Sequence, residues 1–113
     1  MTAAKTDVLY RLHAEMCKVF TSPKRVEILN LLRAREFSVN ELAEKAGIPQ
    51  SNVSQHLALL KGRDIVKTRR EGSRIYYSLA DKRISAAFDI IREMLLDKLG
   101  RAARLSRSVG AGR

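Results

Sequence analysis

Uncharged hydrogen-bonding side chains are concentrated at the start of a predicted helix that runs from about Gln50 to Lys61. They are Gln50, Ser51, Asn52, Ser54, Gln55 and His56. Amides and hydroxyls donate and accept hydrogen bonds, and these are the interactions that read base edges in the major groove of DNA. No acidic residue occurs from Gln50 through Arg63, so nothing in this stretch repels phosphates. A purely structural surface helix would more often carry pairs of Glu and Lys one turn apart.

A second cluster, of basic residues, lies in a predicted β-hairpin with strands over 65–70 and 74–79. It consists of Lys67, Arg69, Arg70 and Arg74. Arginines on a thin protrusion suit phosphates and the narrow, strongly negative minor groove. The alternative interpretation is an edge strand that is protected from aggregation by its charges. The combination of this hairpin with the polar helix favours DNA binding.

The segment before the polar helix predicts the element that positions it. Ser38 and Glu41 form an S-x-x-E capping box, which begins a short helix that Gly47 ends. Ile48 and Pro49 make a turn before the next helix. Residues 38–61 are therefore predicted to form a helix-turn-helix, in which the second helix lies in the major groove.

Helices are predicted on both sides of this motif and its hairpin. Apolar residues recur every three or four positions over 7–20 and 82–99, and a further helix begins at Pro23 with Ser22 as its N-cap. Gly100 is predicted to end the last helix, leaving 100–113 as a basic, flexible tail. The predicted fold is mainly α with a β-hairpin, in the order α-α-α-α-β-β-α. This is one winged helix-turn-helix domain over 1–113.

The excess of positive charge limits the classes of partner that this chain is expected to bind. Lys and Arg number 22 against 12 acidic residues, for a net charge of +10 and a pI of about 10.4. Such a basic chain favours nucleic acid or an acidic membrane. No apolar run approaches a membrane span and no signal peptide is recognised, so a cytoplasmic location without membrane contact is predicted. No phosphate-binding Gly-rich loop or catalytic constellation is present, which argues against an enzyme.

Four segments of the chain resemble ArsR-type (ArsR/SmtB) transcriptional repressors. These segments are 22–32, 41–43, 51–60 and 70–79, and the resemblance extends over about residues 8 to 98. It implies a homodimer held by the helices over 7–20 and 82–99, with two recognition helices on a palindromic operator. It also implies release from DNA when an inducer binds.

The metal sites of that family are not matched by the residues at the corresponding positions. The helix before the turn contains Glu41 and Lys45 but no cysteine, so a thiolate site is absent. On the last helix, the positions that correspond to the family's zinc ligands are Asp81, Arg83, Met94 and Asp97, without a histidine. No cofactor is therefore predicted, and the inducer is not identified.

His13 and Cys17 are the remaining candidates for a sensor. They lie one helical turn apart on the first helix. At a two-fold axis, two of each could bind zinc, or two Cys17 thiols could form an intersubunit disulfide. The alternative is that Cys17 packs as a small hydrophobe and His13 is a surface or interface residue.

Two functions follow from these residues. The first is a repressor in which the six polar residues of the 50–61 helix contact bases or phosphates, and Arg69, Arg70 and Arg74 contact the flanking backbone or minor groove. Lys24 and Arg25 are weaker phosphate candidates. The alternative is a sequence-neutral architectural protein without an inducer, which the excess of positive charge favours.

Overall fold

The computed structural model describes residues 3–111, which form two compact units that divide after Asp81. The helices of the first unit are α1 (Ala3–Cys17), α2 (Pro23–Leu32), α3 (Val39–Ala46) and α4 (Gln50–Gly62), with a 3₁₀ turn at Lys18–Phe20. Its strands are β1 (Phe37–Ser38), β2 (Val66–Glu71) and β3 (Arg74–Leu79). The second unit contains α5 (Arg83–Ala111).

The core of the first unit is built mainly from aliphatic side chains. Buried hydrophobic residues are Val19, Ile28, Leu29, Leu32, Phe37, Leu42, Ala46, Val53, Leu57, Leu60, Ile65 and Val66. On α4, the fully buried residues Val53, Leu57 and Leu60 follow the helical period, so one side of this helix is fixed in the core. Burying such a side chain contributes about 1.5–3 kcal/mol.

The two helices of the helix-turn-helix begin and end as their sequence predicts. The Ser38 hydroxyl accepts a hydrogen bond from the Glu41 amide at 3.2 Å, and the Glu41 carboxylate accepts one from the Ser38 amide at 3.0 Å. Gly47 ends α3 in the left-handed region, with φ of +67°. A side chain at this position would strain the backbone, which explains the glycine between the two helices.

The sheet has a third strand that the sequence interpretation did not include. Its order is β1-β3-β2, with antiparallel pairing throughout, and β1 places Phe37 opposite Tyr77 and Ser38 opposite Tyr76. β1 has only two residues, too few to show the alternation that identifies a strand. The extended backbone of Ser38, the N-cap of α3, belongs to both the strand and the helix start.

The prediction for the C-terminal segment is wrong over residues 100–111. α5 continues through Gly100 to Ala111, where a flexible tail was predicted. Arg101 to Arg107 are chiefly arginine, alanine and leucine, which are strong helix formers, and one interior glycine costs only about 1 kcal/mol. Residues 112 and 113 lie outside the described residues.

Two helices expose large apolar side chains within the single chain. α1 has no buried residue, and Leu9 and Leu12 are 50% and 61% exposed. α5 exposes Ile91, Leu95 and Leu99, which are 46–65% exposed. Among the described residues, no helix has the length and apolar character to cross a membrane.

Candidate nucleic-acid interface

The outer face of α4 carries the polar side chains predicted to contact DNA. Gln50, Ser51, Asn52, Ser54 and Gln55 are exposed, and His56 is half-buried. The helix begins after Pro49 without a side-chain cap, so the positive end of the helix dipole is not neutralised by the protein. An exposed, uncapped helix start favours anionic groups such as phosphates. The structure thus exposes five of the six residues on the outer side of α4 and places His56 at the half-buried border of that side.

His56 lies near Arg25, which affects its protonation. Burial and the Arg25 guanidinium both lower the pKa of His56 from its ordinary value of 6.5, with burial as the larger cause. His56 is therefore predominantly neutral near neutral pH and acts there as a donor and an acceptor rather than as a cation.

Lys24 and Arg25, the weaker phosphate candidates, are held by contacts within the protein. The Lys24 ammonium donates to the Ala46 carbonyl at 2.8 Å and to the Glu27 carboxylate at 3.1 Å. The Arg25 guanidinium donates to the Lys18 carbonyl at 3.2 Å. These bonds connect the start of α2 to the end of α3 and to the 3₁₀ turn, so both side chains have a structural role.

The wing, defined as residues 66–79, carries two kinds of arginine. Arg70 and Arg74 are exposed, and neither makes an ion pair with any described residue. Arg69 donates through Nε to the Glu36 carboxylate at 3.1 Å and through Nη1 to the Glu71 carboxylate at 2.9 Å. Its guanidinium also lies 4.9 Å from the centroid of the Tyr76 ring.

These contacts offset the charge of Arg69. Its hydrogen bonds to Glu36 and Glu71 raise its pKa above the ordinary value, and Arg69 lowers the pKa of Glu36. Two carboxylates therefore compete with any phosphate for this guanidinium. Sequence reasoning missed Glu36 because it lies 33 positions from Arg69. Arg70 and Arg74 are the wing arginines whose charge is left available.

A neighbouring group of contacts fixes the start of α3 beside the wing. The Arg35 guanidinium lies 3.8 Å from the centroid of the Phe37 ring and donates to the Glu41 carboxylate at 3.3 Å. Hydrogen bonds with Ser38 and Arg35 hold the pKa of Glu41 below its usual value, against the effect of burial. Ser38 and Arg74 line the same groove between α3 and the wing tip. The start of α3 and the tip of the wing thus line one groove.

His13 and Cys17 are both exposed on α1, one turn apart. Over residues 3–111, no group of three or more His, Cys, Asp or Glu side chains in one chain could hold a metal ion. Within the single chain Cys17 is not packed as a buried hydrophobe. The zinc and disulfide hypotheses require a second chain, so they stay predictions.

The element order and the exposed outer face of α4 define the winged helix-turn-helix class of DNA-binding proteins. The sequence profile described as "Bacterial regulatory protein, arsR family" matches residues 22–68. The uncharacterized HTH-type transcriptional regulator Rv0081 of Mycobacterium tuberculosis is 34% identical over 109 residues, which cover 96% of each chain. The chain belongs to the ArsR family and is a DNA-binding transcriptional regulator.

Solved structures agree with this assignment. The crystal structure of Rv0081 has a TM-score of 0.77 at 36% identity and covers 84% of this chain and 96% of that one. NolR from Sinorhizobium fredii has a TM-score of 0.74 at 32% identity, with 83% and 93% covered. The homodimeric winged helix-turn-helix DNA-binding domain Mb0332 from Mycobacterium bovis, fragment 1–100, has a TM-score of 0.79 at 28% identity, with 89% and 93% covered. The resemblance to ArsR-type regulators and the winged helix-turn-helix fold are therefore confirmed.

Proposed function

We propose that this chain is a repressor that binds a palindromic operator as a homodimer and leaves it when an inducer binds. The observation that carries the proposal is the outer face of α4, which is polar, uncharged and free of acidic residues, beside a wing with two available arginines. Uncharged donors and acceptors distinguish base pairs, whereas cations mainly supply affinity for any sequence.

The contacts are divided between the two elements. The six polar residues at the start of α4 contact bases or phosphates in the major groove. Arg70 and Arg74 hold the flanking backbone or the minor groove, because their charge is available. Arg69 contributes to the same surface mainly by joining β2 to Glu36, while Glu71 of the same strand holds its guanidinium in place.

The exposed apolar side chains of α1 and of α5 support the proposed homodimer. Leu9 and Leu12 on α1, and Leu95 and Leu99 on α5, are each at least half exposed in the single chain. Apolar surface of this extent typically marks a protein interface. The homodimeric Mb0332 domain supports the same association. A dimer places its two recognition helices about 34 Å apart, one turn of duplex.

The inducer is of unidentified chemistry, because the family's metal-ligand positions carry other residues. His13 and Cys17, paired across the dimer, remain the candidates for a metal or redox signal. We assign the chain no enzymatic role. Its site of action is the cytoplasm, where the operator DNA lies.

A sequence-neutral architectural function is the second candidate. The net charge of +10 favours it, because phosphate contacts alone provide affinity for any duplex. Such a protein needs no uncharged polar surface on α4, and it needs no inducer. The two functions differ in whether the base sequence changes the affinity.

Binding to duplex DNA from upstream of the protein's own gene distinguishes the two functions. The reduced, metal-free protein is titrated with this duplex and with a scrambled duplex at several salt concentrations. We expect the upstream duplex to bind at least about 10³-fold more tightly, as specific regulators do. Equal affinities with a steep salt dependence would contradict the repressor and support the architectural function.

A further inference from the structure

The end of α5 has a basic surface that neither the recognition helix nor the wing accounts for. Arg101, Arg104 and Arg107 are exposed, and they lie on the helical part of the chain beyond Gly100. With 3.6 residues per turn, the three side chains fall within an arc of about 120° and span about 9 Å along the helix. We call this surface the arginine face.

On the same side of α5 as the arginine face, three acidic residues lie nearer the start of the helix. Asp89, Glu93 and Asp97 follow one another at four-residue intervals and lie on the same side of the helix as the later arginines. After Asp97 the chain contains no acidic residue up to its last position, Arg113. The sign of the charge therefore changes along one side of a single helix.

The arginine face is not held by ion pairs or hydrogen bonds among the described residues. None of its three guanidiniums makes an ion pair or hydrogen bond within residues 3–111. Helical structure also holds the three cations on one surface, whereas a flexible tail would spread them. Three uncompensated arginines so arranged fit a ligand with regularly repeated negative charge.

We infer that the arginine face binds the phosphate backbone of duplex DNA outside the segment that α4 and the wing contact. The inference rests on the proposed function, because binding of the operator brings flanking duplex close to the protein. DNA carries a phosphate every 3.4 Å along each strand, so a surface about 9 Å long spans more than one phosphate.

A membrane surface fits this segment less well. Helices that lie in a membrane interface need a broad apolar face beside the basic one. Between Gly100 and Arg107, Leu105 is the single large apolar residue. An acidic protein would satisfy the same charges, and the experiment below distinguishes it from DNA.

The test compares two triple variants of the full chain. R101Q/R104Q/R107Q removes the three charges, and R101K/R104K/R107K keeps them. Glutamine, lysine and arginine have similar helix propensities, so α5 is retained, which circular dichroism checks. Each protein is titrated with duplexes of about 20 and about 40 base pairs that share the same centre, the shorter covering two half-sites one turn apart.

We expect the wild type and the lysine variant to bind the longer duplex more tightly and with a steeper salt dependence than the shorter one. For the glutamine variant, the slope of log K against log salt on the longer duplex should fall by up to about 2.7 per chain, at about 0.9 for each phosphate that is no longer neutralised. The additional affinity for the longer duplex should disappear.

Two results would overturn the inference. A glutamine variant that keeps the wild-type preference for the longer duplex and the wild-type slope would show that the arginine face does not contact DNA, as expected if its partner is an acidic protein. An equal reduction on both duplexes would place the arginines over the operator itself. The same titrations are repeated with scrambled duplexes of both lengths. They test the phosphate contacts of the arginine face without any contribution from sequence-specific binding. Failure of the repressor proposal would instead appear as equal affinity of the wild type for upstream and scrambled DNA.

Discussion

The recognition helix and the wing differ in how firmly the protein core holds them and in the chemistry that they expose. α4 is fixed by Val53, Leu57 and Leu60, which are fully buried, whereas Val66 is the one buried residue of the two wing strands. The firmly held helix carries uncharged donors and acceptors, and the thin wing carries cations. Base readout requires accurate placement, whereas attraction to phosphate tolerates movement. This difference supports the proposal that α4 provides sequence preference and the wing provides general affinity for DNA.

The largest expected effect concerns sequence preference. Gln55→Ala should reduce discrimination at one base pair by about 1–3 kcal/mol, because it removes an exposed amide from the outer face of α4. The measurement is the affinity for operators with single base-pair changes. Lys61→Ala, in the last turn of the same helix, is the matched control and should leave every base preference unchanged. Unaltered discrimination in Gln55→Ala would argue against base readout by this residue.

The wing should affect all sequences alike. Arg74→Ala should weaken binding to the operator and to scrambled DNA by the same factor and lower the salt slope by about 1, since one phosphate is no longer neutralised. Arg74→Lys retains the charge and should retain the slope. If Arg74→Ala changed affinity for the operator alone, the division between helix and wing would be incorrect.

A smaller effect should come from releasing Arg69. Glu36→Gln weakens one of the two carboxylate contacts that offset this guanidinium, so the wing should bind phosphate slightly more tightly, as expected for a solvent-exposed pair. The salt slope of DNA binding is the measurement. Glu44→Gln is the control, because it also removes one negative charge but does not release Arg69. A weaker affinity in Glu36→Gln alone would show that the pair serves to position the wing rather than to compete with DNA.

The smallest effect concerns pH and His56. The pKa of His56 is lowered in the folded protein, so below about pH 6.5 the unfolded chain binds more protons than the folded one. The associated stability is present above that pH and is lost as the pH falls through the folded-state pKa. His56→Gln should therefore make the free energy of unfolding less dependent on pH below about pH 6.5. The pKa values of Glu15, Glu36 and Glu41 are lowered from the ordinary value of 4.5, so these carboxylates cause a further loss of stability below about pH 4.5 in both proteins. Identical pH profiles for the two proteins would refute the role of His56.

Local signals made the helix-turn-helix predictable from sequence. The Ser38–Glu41 capping box, Gly47 and the spacing of the apolar residues on α4 each lie within a few residues of the structure that they specify. The same signals placed the five exposed polar residues of α4 outside the core. Their contacts with DNA remain predictions, since they depend on a partner and not on the chain alone.

Features that depend on distant residues or on weak signals were not predictable. The contact between Arg69 and Glu36 joins positions 33 residues apart, and no local sequence pattern indicates it. β1 is too short for a period, and its pairing with β3 depends on the folded sheet. Gly100 resembles a helix end, but the helix formers that follow it outweigh the cost of one glycine.

The short strand β1 connects the wing to the helix-turn-helix. Because Phe37 pairs with Tyr77 and Ser38 is also the N-cap of α3, the main chain itself joins the wing to the helix-turn-helix. In the proposed complex, the number of base pairs between the wing contact and the α4 contact in each half-site therefore depends on this backbone register. Substitutions on α4 can change which bases are recognised. The spacing between the two proposed contacts depends on the backbone and stays the same.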